Sequence, residues 1–182
     1  MNPSNNLFLI GSMGAGKTVL GKRLACRYGL RFIDLDAYIS ITAGMSIRDI
    51  FTQQGEPGFR RLEATALERI SQNSGIVMAT GGGTVLAKAN RQLLSTRGFV
   101  LYLEIDISTQ LQRLVGDRQR PLLDGVAPLV QLQTLAQQRN LIYQRLADCS
   151  LRAGSDSPVD TETRALALLA QHWQLPGEEP VT

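Results

Sequence analysis

An α/β fold with a five-stranded parallel sheet flanked by helices is expected, and three observations lead to it. Short apolar runs alternate with amphipathic stretches along the 182 residues, the pattern of strands feeding crossover helices. The runs are short and mainly apolar, as strands covered on both faces are. The first run opens into Gly11-Ser-Met-Gly-Ala-Gly16-Lys17-Thr18 and then a helical stretch, which matches G-x-x-x-x-G-K-[ST] in its proper strand-loop-helix setting.

Strands are expected at Leu7–Ile10, Arg31–Ile33, Ile76–Ala79, Phe99–Glu104 and Cys149–Arg152. A helix over Lys17–Tyr28 carries Leu20, Leu24 and Tyr28 on one stripe and stops at Gly29, a favoured C-terminal residue. Ser46–Gln54 opens with the capping pattern Ser-x-x-Asp and stops at Gly55. Phe59–Ile70 aligns Phe59, Leu62, Ala66, Leu67 and Ile70, and Leu129–Leu146 is the longest helix. The last begins near Ser157, with Pro158 in its first turn, and runs to about Trp173.

Composition narrows the function classes. Apolar residues make up 43% and charged residues 19%, which excludes a disordered chain. No apolar run approaches the roughly 18 residues of a membrane span. Met1–Asn6 is polar, and Leu7–Ile10 is too short for a signal-peptide core, so a cytoplasmic location is expected. Cys26 and Cys149 form no motif and are expected as buried thiols. His172, the single histidine, leaves no room for a histidine metal site. The net charge of +3 comes from scattered basic residues without interleaved aromatics, so no nucleic-acid partner is expected.

The glycine-rich loop carries the chemistry. Its glycines let backbone N–H groups wrap round phosphate, and the helix N-terminus adds partial positive charge. Lys17 is placed to reach the β and γ phosphates and Thr18 to ligate magnesium. Such a loop does not name an acceptor: GTPases, ATPases and small-molecule kinases all have one. The absence of an Asn-Lys-x-Asp segment and the short chain favour a compact kinase.

Ligands of open parallel sheets bind beyond the carboxyl ends of the strands. Strand two ends in Asp34-Leu35-Asp36. Read as extended chain, its two carboxylates face the same way, one for the magnesium shell and one for an acceptor hydroxyl, or both in a solvated turn. Strand three ends in Gly81-Gly82-Gly83, suited to close approach of a ligand to backbone, or to a loose turn. After strand four come Arg113 and Asp117-Arg118-Gln119-Arg120-Pro121, bounded by Gly116 and Gly125. That segment suits a lid, with a solvated loop as the alternative and the preferred reading for Arg118. Arg139 falls in register with Leu132, Leu135, Ile142 and Leu146, where a charge needs a partner or a ligand. Arg60 shares a helix face with Glu63, which can hold its guanidinium in place. For both arginines a structural salt bridge is the competing reading.

Taken together, the P-loop, Asp34-x-Asp36, Gly58-Phe59-Arg60-x-x-Glu63, Gly81-Gly82-Gly83, Arg120-Pro121-Leu122-Leu123 and Arg139 resemble the shikimate kinase family over roughly residues 5–170, in order and spacing. The resemblance implies a P-loop, nucleoside-monophosphate-kinase-like fold forming one kinase domain over 1–182. It places a substrate-binding segment at about 35–63 and a lid at about 114–126. It implies transfer of the ATP γ-phosphate to the 3-hydroxyl of shikimate, with Mg2+; a monomer is expected. The implied ATP-binding residues are Gly14, Ala15, Gly16, Lys17, Thr18, Val19, Arg113 and Arg120. The implied acceptor residues are Asp36, Arg60, Gly82 and Arg139, with Phe51 and Phe59 shaping the pocket wall. Lys17, Asp36 and Arg120 are the implied catalytic set, and Thr18 and, through water, Asp34 the metal set. Arg113 is expected to stack on adenine. A second adenine-side arginine found in some members is replaced by Ser155-Asp156-Ser157-Pro158, so base recognition there is expected to use backbone.

Two rivals stand beside this reading. Another small-molecule kinase of similar fold, for gluconate or a nucleotide, would need different acceptor residues. A nucleotide-binding module without catalysis would not need Lys17, Thr18, Asp34, Asp36 and Arg120 together.

Overall fold

The computed structural model describes residues 4–114, 128–154 and 156–173. Five strands, β1 (Leu7–Ile10), β2 (Arg31–Asp34), β3 (Ile76–Ala79), β4 (Phe99–Glu104) and β5 (Cys149–Arg152), form one sheet in the order β2-β3-β1-β4-β5. All four pairings are parallel. Every residue of β1 and β3 is buried, as expected of central strands covered on both faces.

Helices cover the two faces unequally. Leu20 and Leu24 of α1 (Lys17–Tyr28) and Ala165 and Leu169 of α7 (Pro158–His172) pack with Leu7, Leu9, Leu101 and Leu103. The opposite face, with Phe8, Ile10, Met78 and Tyr102, is covered by four helices. These are α2 (Leu35–Ala43), α3 (Ile47–Ile70), α4 (Lys88–Arg97) and α6 (Pro128–Leu146). A short 3-10 turn over Thr84–Leu86 precedes α4, and α5 (Ile107–Leu114) follows β4.

Several expectations change. The chain after Asp34 is helical, not extended: Asp34 is the N-cap of α2, accepting from the Ala37 N–H at 3.1 Å. Helix α3 (Ile47–Ile70) is one element kinked at Gly55, whose φ of 67° and ψ of 179° break the helix just before Pro57. The two expected helices are its halves. Ser46 caps the first half as its sequence pattern requires, accepting from the Asp49 N–H at 3.1 Å. Helices α2, α4 and α5 were not expected. Both cysteines are free thiols, but neither is fully buried: Cys26 is exposed and Cys149 half-buried. The lid segment and Arg120 lie outside the described residues, apart from Leu114.

Helix α5 sets Gln110 and Arg113 beside the glycine-rich loop, and its start is fixed by Asp106. That carboxylate accepts from the Ser108 hydroxyl at 2.5 Å, the Thr109 N–H at 2.8 Å and the Thr109 hydroxyl at 2.9 Å. These bonds, the Ser108 hydroxyl first, hold its pKa well below the usual carboxylate value. A depressed folded pKa gives stability that is present above the unfolded value of about 4 and lost as pH falls through the folded one. Asp106→Ala should therefore lower the unfolding midpoint at neutral pH, with the gap to wild type closing below about pH 4. A gap that stays constant under acid titration would show that the cap charge is not its source.

Candidate active site

The loop after β1 and the loop after β3 lie side by side. Gly14 and Gly16 hold φ of 76° and 95°, left-handed values that let the loop curl and start α1 with its N–H groups turned inward. The buried Lys17 ammonium donates to the carbonyls of Gly11 at 2.7 Å and Ser12 at 2.8 Å. The loop's own backbone thus holds this cation in place. Exposed Thr18 donates its hydroxyl to Asp34 Oδ2 at 2.7 Å. Gln110 donates to the Met13 carbonyl at 2.9 Å. Arg113 donates to the Gly14 carbonyl at 3.1 Å and to the Gly154 carbonyl.

A cleft of about 650 Å³ runs across this loop. Its lining includes residues 14–19, Asp34, Asp36, Gly81 and Gly82, together with Arg113, Asp156, Pro158 and Thr161. The two carboxylates of Asp34-x-Asp36 share the cleft but split in direction. Asp34 faces Thr18, whereas a Cβ built on Gly81 would sit 2.9 Å from Asp36 Oδ1. The helical turn at Leu35 causes the divergence.

Each glycine of the 81–83 run faces a different site side chain, and none has a positive φ. Space, not backbone freedom, is what the glycines provide. A Cβ at Gly81 would also lie 3.0 Å from Glu63 Oε1. At Gly82 it would lie 3.6 Å from Arg139 Nη1 and 3.5 Å from the Met13 nitrogen. At Gly83 it would lie 2.1 Å from Arg60 Nη2. The run therefore collects Asp36, Arg60, Arg139 and the P-loop at one place.

The two arginines differ in how they are held. Arg60 donates to Glu63 at 2.7 Å and to Glu56 at 3.0 and 3.2 Å. Glu63 is fully buried and also accepts from the Thr84 hydroxyl at 2.7 Å. Burial works to lower the Arg60 pKa, but the charge and hydrogen bond of Glu63, with those of Glu56, leave it raised. Phe51 and Phe59 stand beside it, ring centroids 4.8 Å apart, with the Arg60 guanidinium 5.2 Å from the Phe59 ring centre. Arg139 is 5% exposed, and its Nε has no hydrogen-bond partner among the described residues. The ion pairs recorded there involve Arg23, Arg60 and Arg164, not Arg139. A buried guanidinium with an unmatched donor is costly without an anion.

Of the residues expected from sequence, those in 14–19, with Asp34, Asp36, Gly82 and Arg113, line the cleft, and Arg60 and Arg139 border the glycine run beside it. Sequence reading missed Thr84, Gln110, Glu56 and Tyr143. Tyr143 donates its hydroxyl to the Gly82 carbonyl. Glu56 alone carried a signal: it stands four residues before Arg60, a charge pair on one helix face.

Fold and loop together define a P-loop phosphotransferase of the nucleoside-monophosphate-kinase-like class. The family model described as shikimate kinase matches residues 13–170, and the chain belongs to that family. A shikimate kinase of Stenotrophomonas maltophilia (strain K279a) is 45% identical over 174 residues, 96% of this chain and 97% of the relative. One of Xanthomonas oryzae pv. oryzae (strain PXO99A) is 43% identical over 175 residues, 96% of this chain and 97% of the relative. The structure of a shikimate kinase from Acinetobacter baumannii in complex with shikimate superposes with a TM-score of 0.90 at 35% identity. It covers 93% of this chain and 95% of that one. The family's activity is ATP-dependent phosphorylation of shikimate, a step towards aromatic amino acids, and it is the activity of this chain.

The packing at Gly83 makes a direct prediction. Its φ of −97° suits any residue, so Gly83→Ala should fold, and the new methyl should displace the flexible end of Arg60. The KM for shikimate should rise about tenfold, the loss of one charged hydrogen bond, with the ATP KM unchanged. Unchanged shikimate kinetics would remove Arg60 from the acceptor site.

Proposed function

We propose that shikimate lies against the glycine run, with its carboxylate gripped by Arg60 and Arg139 and its 3-hydroxyl presented to the γ-phosphate of ATP beside Lys17. The observation that carries this reading is Arg139: a buried guanidinium with an unmatched donor, 3.6 Å from where a Gly82 Cβ would stand. A carboxylate answers that demand with two parallel bonds, which fixes ring orientation as well as adding affinity. The acceptor oxygen bonds to the γ-phosphorus as the bond to the ADP oxygen breaks, and Asp36 takes the hydroxyl proton. Lys17 stabilises the charge that develops on the phosphate oxygens, where positioning and electrostatics supply most of the rate. Arg113, held between Gly14 and Gly154, would stack on the adenine, and Arg120 is proposed to join the phosphates.

Magnesium fits the Thr18–Asp34 pair. Both offer oxygen donors, and no cluster of three or more His, Cys, Asp or Glu suited to a metal occurs among the described residues. Mg2+ needs only one or two protein ligands, because water and phosphate complete its shell. Thr18 would hold it directly and Asp34 through water, and when bound it neutralises phosphate charge. Asp34→Asn should then raise the Mg2+ concentration for half-maximal rate, and Asp36→Asn should lower kcat without doing so. The opposite pattern would exchange the two roles.

The same reading takes 1–182 as one kinase domain, acting as a cytoplasmic monomer without a nucleic-acid partner. The single five-stranded sheet supports the one domain, and the scattered basic charge speaks against a nucleic-acid partner; among the described residues no helix is long and apolar enough to cross a membrane.

The acceptor assignment is tested by comparing shikimate with its neutral carboxamide. Arg139→Ala should weaken shikimate by about one to two decades, as expected for hydrogen bonds to a charged group. It should weaken the carboxamide much less and leave ATP affinity intact. Equal losses for acid and amide would make Arg139 a structural residue and remove the main support for an acidic acceptor.

A further inference from the structure

Tyr143 lies on α6 one helical turn beyond Arg139 and is completely buried. Its ring stacks on Tyr102 of β4, with centroids 5.1 Å apart and planes 24° from parallel. Its hydroxyl donates to the Gly82 carbonyl. Arg139, Ser12 and Arg60 are near enough to bear on the ionisation of the same phenol. One hydroxyl thus ties the helix that carries Arg139 to the glycine run.

We propose that Tyr143 is a positioning residue for the acid acceptor. Its hydroxyl fixes the peptide plane between Gly82 and Gly83, and so sets the backbone that faces the acceptor against Arg139. The proposal rests on the reading that Gly82 and Arg139 hold that acceptor.

The physical need is specific. Three successive glycines have the largest conformational freedom to lose, and Gly82 has no side chain to anchor it. Backbone that must be ordered on binding reduces affinity, and a fixed bond to a rigid, stacked ring removes that cost beforehand. Pinning the Gly82 carbonyl restricts ψ at Gly82 and directs the Gly83 N–H, which shares its peptide plane. Burial raises the phenol pKa over the opposing effects of Arg139, Ser12 and Arg60, so the group stays a protonated donor at neutral pH.

Tyr143→Phe keeps the ring on Tyr102 and removes only the donor. Steady-state rates with each substrate varied in turn should show the shikimate KM raised about three- to tenfold, the loss of one neutral hydrogen bond. The ATP KM should stay within about twofold, and kcat should change less than the shikimate KM. A lower unfolding midpoint with an unchanged shikimate KM would make Tyr143 merely structural and overturn the proposal. Equal rises in both KM values, or a loss confined to kcat, would overturn it too. Arg139→Ala, measured alongside, separates the two levels. If it leaves the shikimate KM unchanged, the acceptor reading fails and the proposal with it. If it raises that KM while Tyr143→Phe does not, only the proposal fails.

Discussion

Leu9 of β1 and Ala79 of β3 are partners in a parallel ladder, and the chains leaving this pair depart for opposite faces of the sheet. From β1 the chain enters the glycine-rich loop and α1, on the face shared with α7. From β3 it enters the glycine run and then α4, on the face shared with α3 and α6. Divergent connections from neighbouring parallel strands open a crevice at their carboxyl ends. Here one lip is the phosphate loop and the other the glycine run, with the Met13 nitrogen 3.5 Å from where a Gly82 Cβ would stand. Donor and acceptor subsites are adjacent because two strands are adjacent. Every later feature, from the Thr18–Asp34 bond to the placing of Arg139, depends on that pairing.

The second constraint is charge balance around the glycine run. A buried carboxylate, Glu63, is fully engaged by Arg60 and Thr84, so it stabilises the site without needing a ligand. Arg139 differs, because its buried guanidinium keeps a donor unmatched among the described residues. A stable protein retains such a deficit where a ligand removes it. The two arginines thus divide the work in the proposed reading: Arg60 is pre-oriented by its own carboxylates, and Arg139 is left open to the acceptor. Gly83 and Gly81 provide the room for Arg60, Asp36 and Glu63 to come this close.

Much of this was readable from sequence because it rests on local patterns. The short apolar runs gave β1, β3, β4 and β5 with their observed limits, and the glycine-lysine-threonine spacing placed the phosphate loop. What stayed hidden depends on tertiary contacts or on weak periodicity. The α2 sequence Leu35–Ala43 has no clear polar face, and α4 offers only Leu93 and Leu94 as large apolar residues over ten positions. The extended reading of Asp34-x-Asp36 failed because an N-cap aspartate ends β2 and starts a helix within one residue. Arg139 was conspicuous as a charge in an apolar stripe, whereas nothing in the sequence marks out Tyr143, four residues further on. The three glycines were conspicuous too, but their reason, room for a guanidinium and two carboxylates, exists only once α2, α3 and α6 have packed.

The most direct test of the central claim, that an acid acceptor sits on the glycine run between two arginines and faces the phosphate loop, is a crystal structure with shikimate and a non-hydrolysable ATP analogue. The account predicts the shikimate carboxylate in hydrogen-bond contact with Arg60 and Arg139, the ring against Gly82, and the 3-hydroxyl turned towards Asp36 and the γ-phosphate. A ring bound in the reverse sense, with its carboxylate towards the phosphate loop and Arg139 still unmatched, would contradict it.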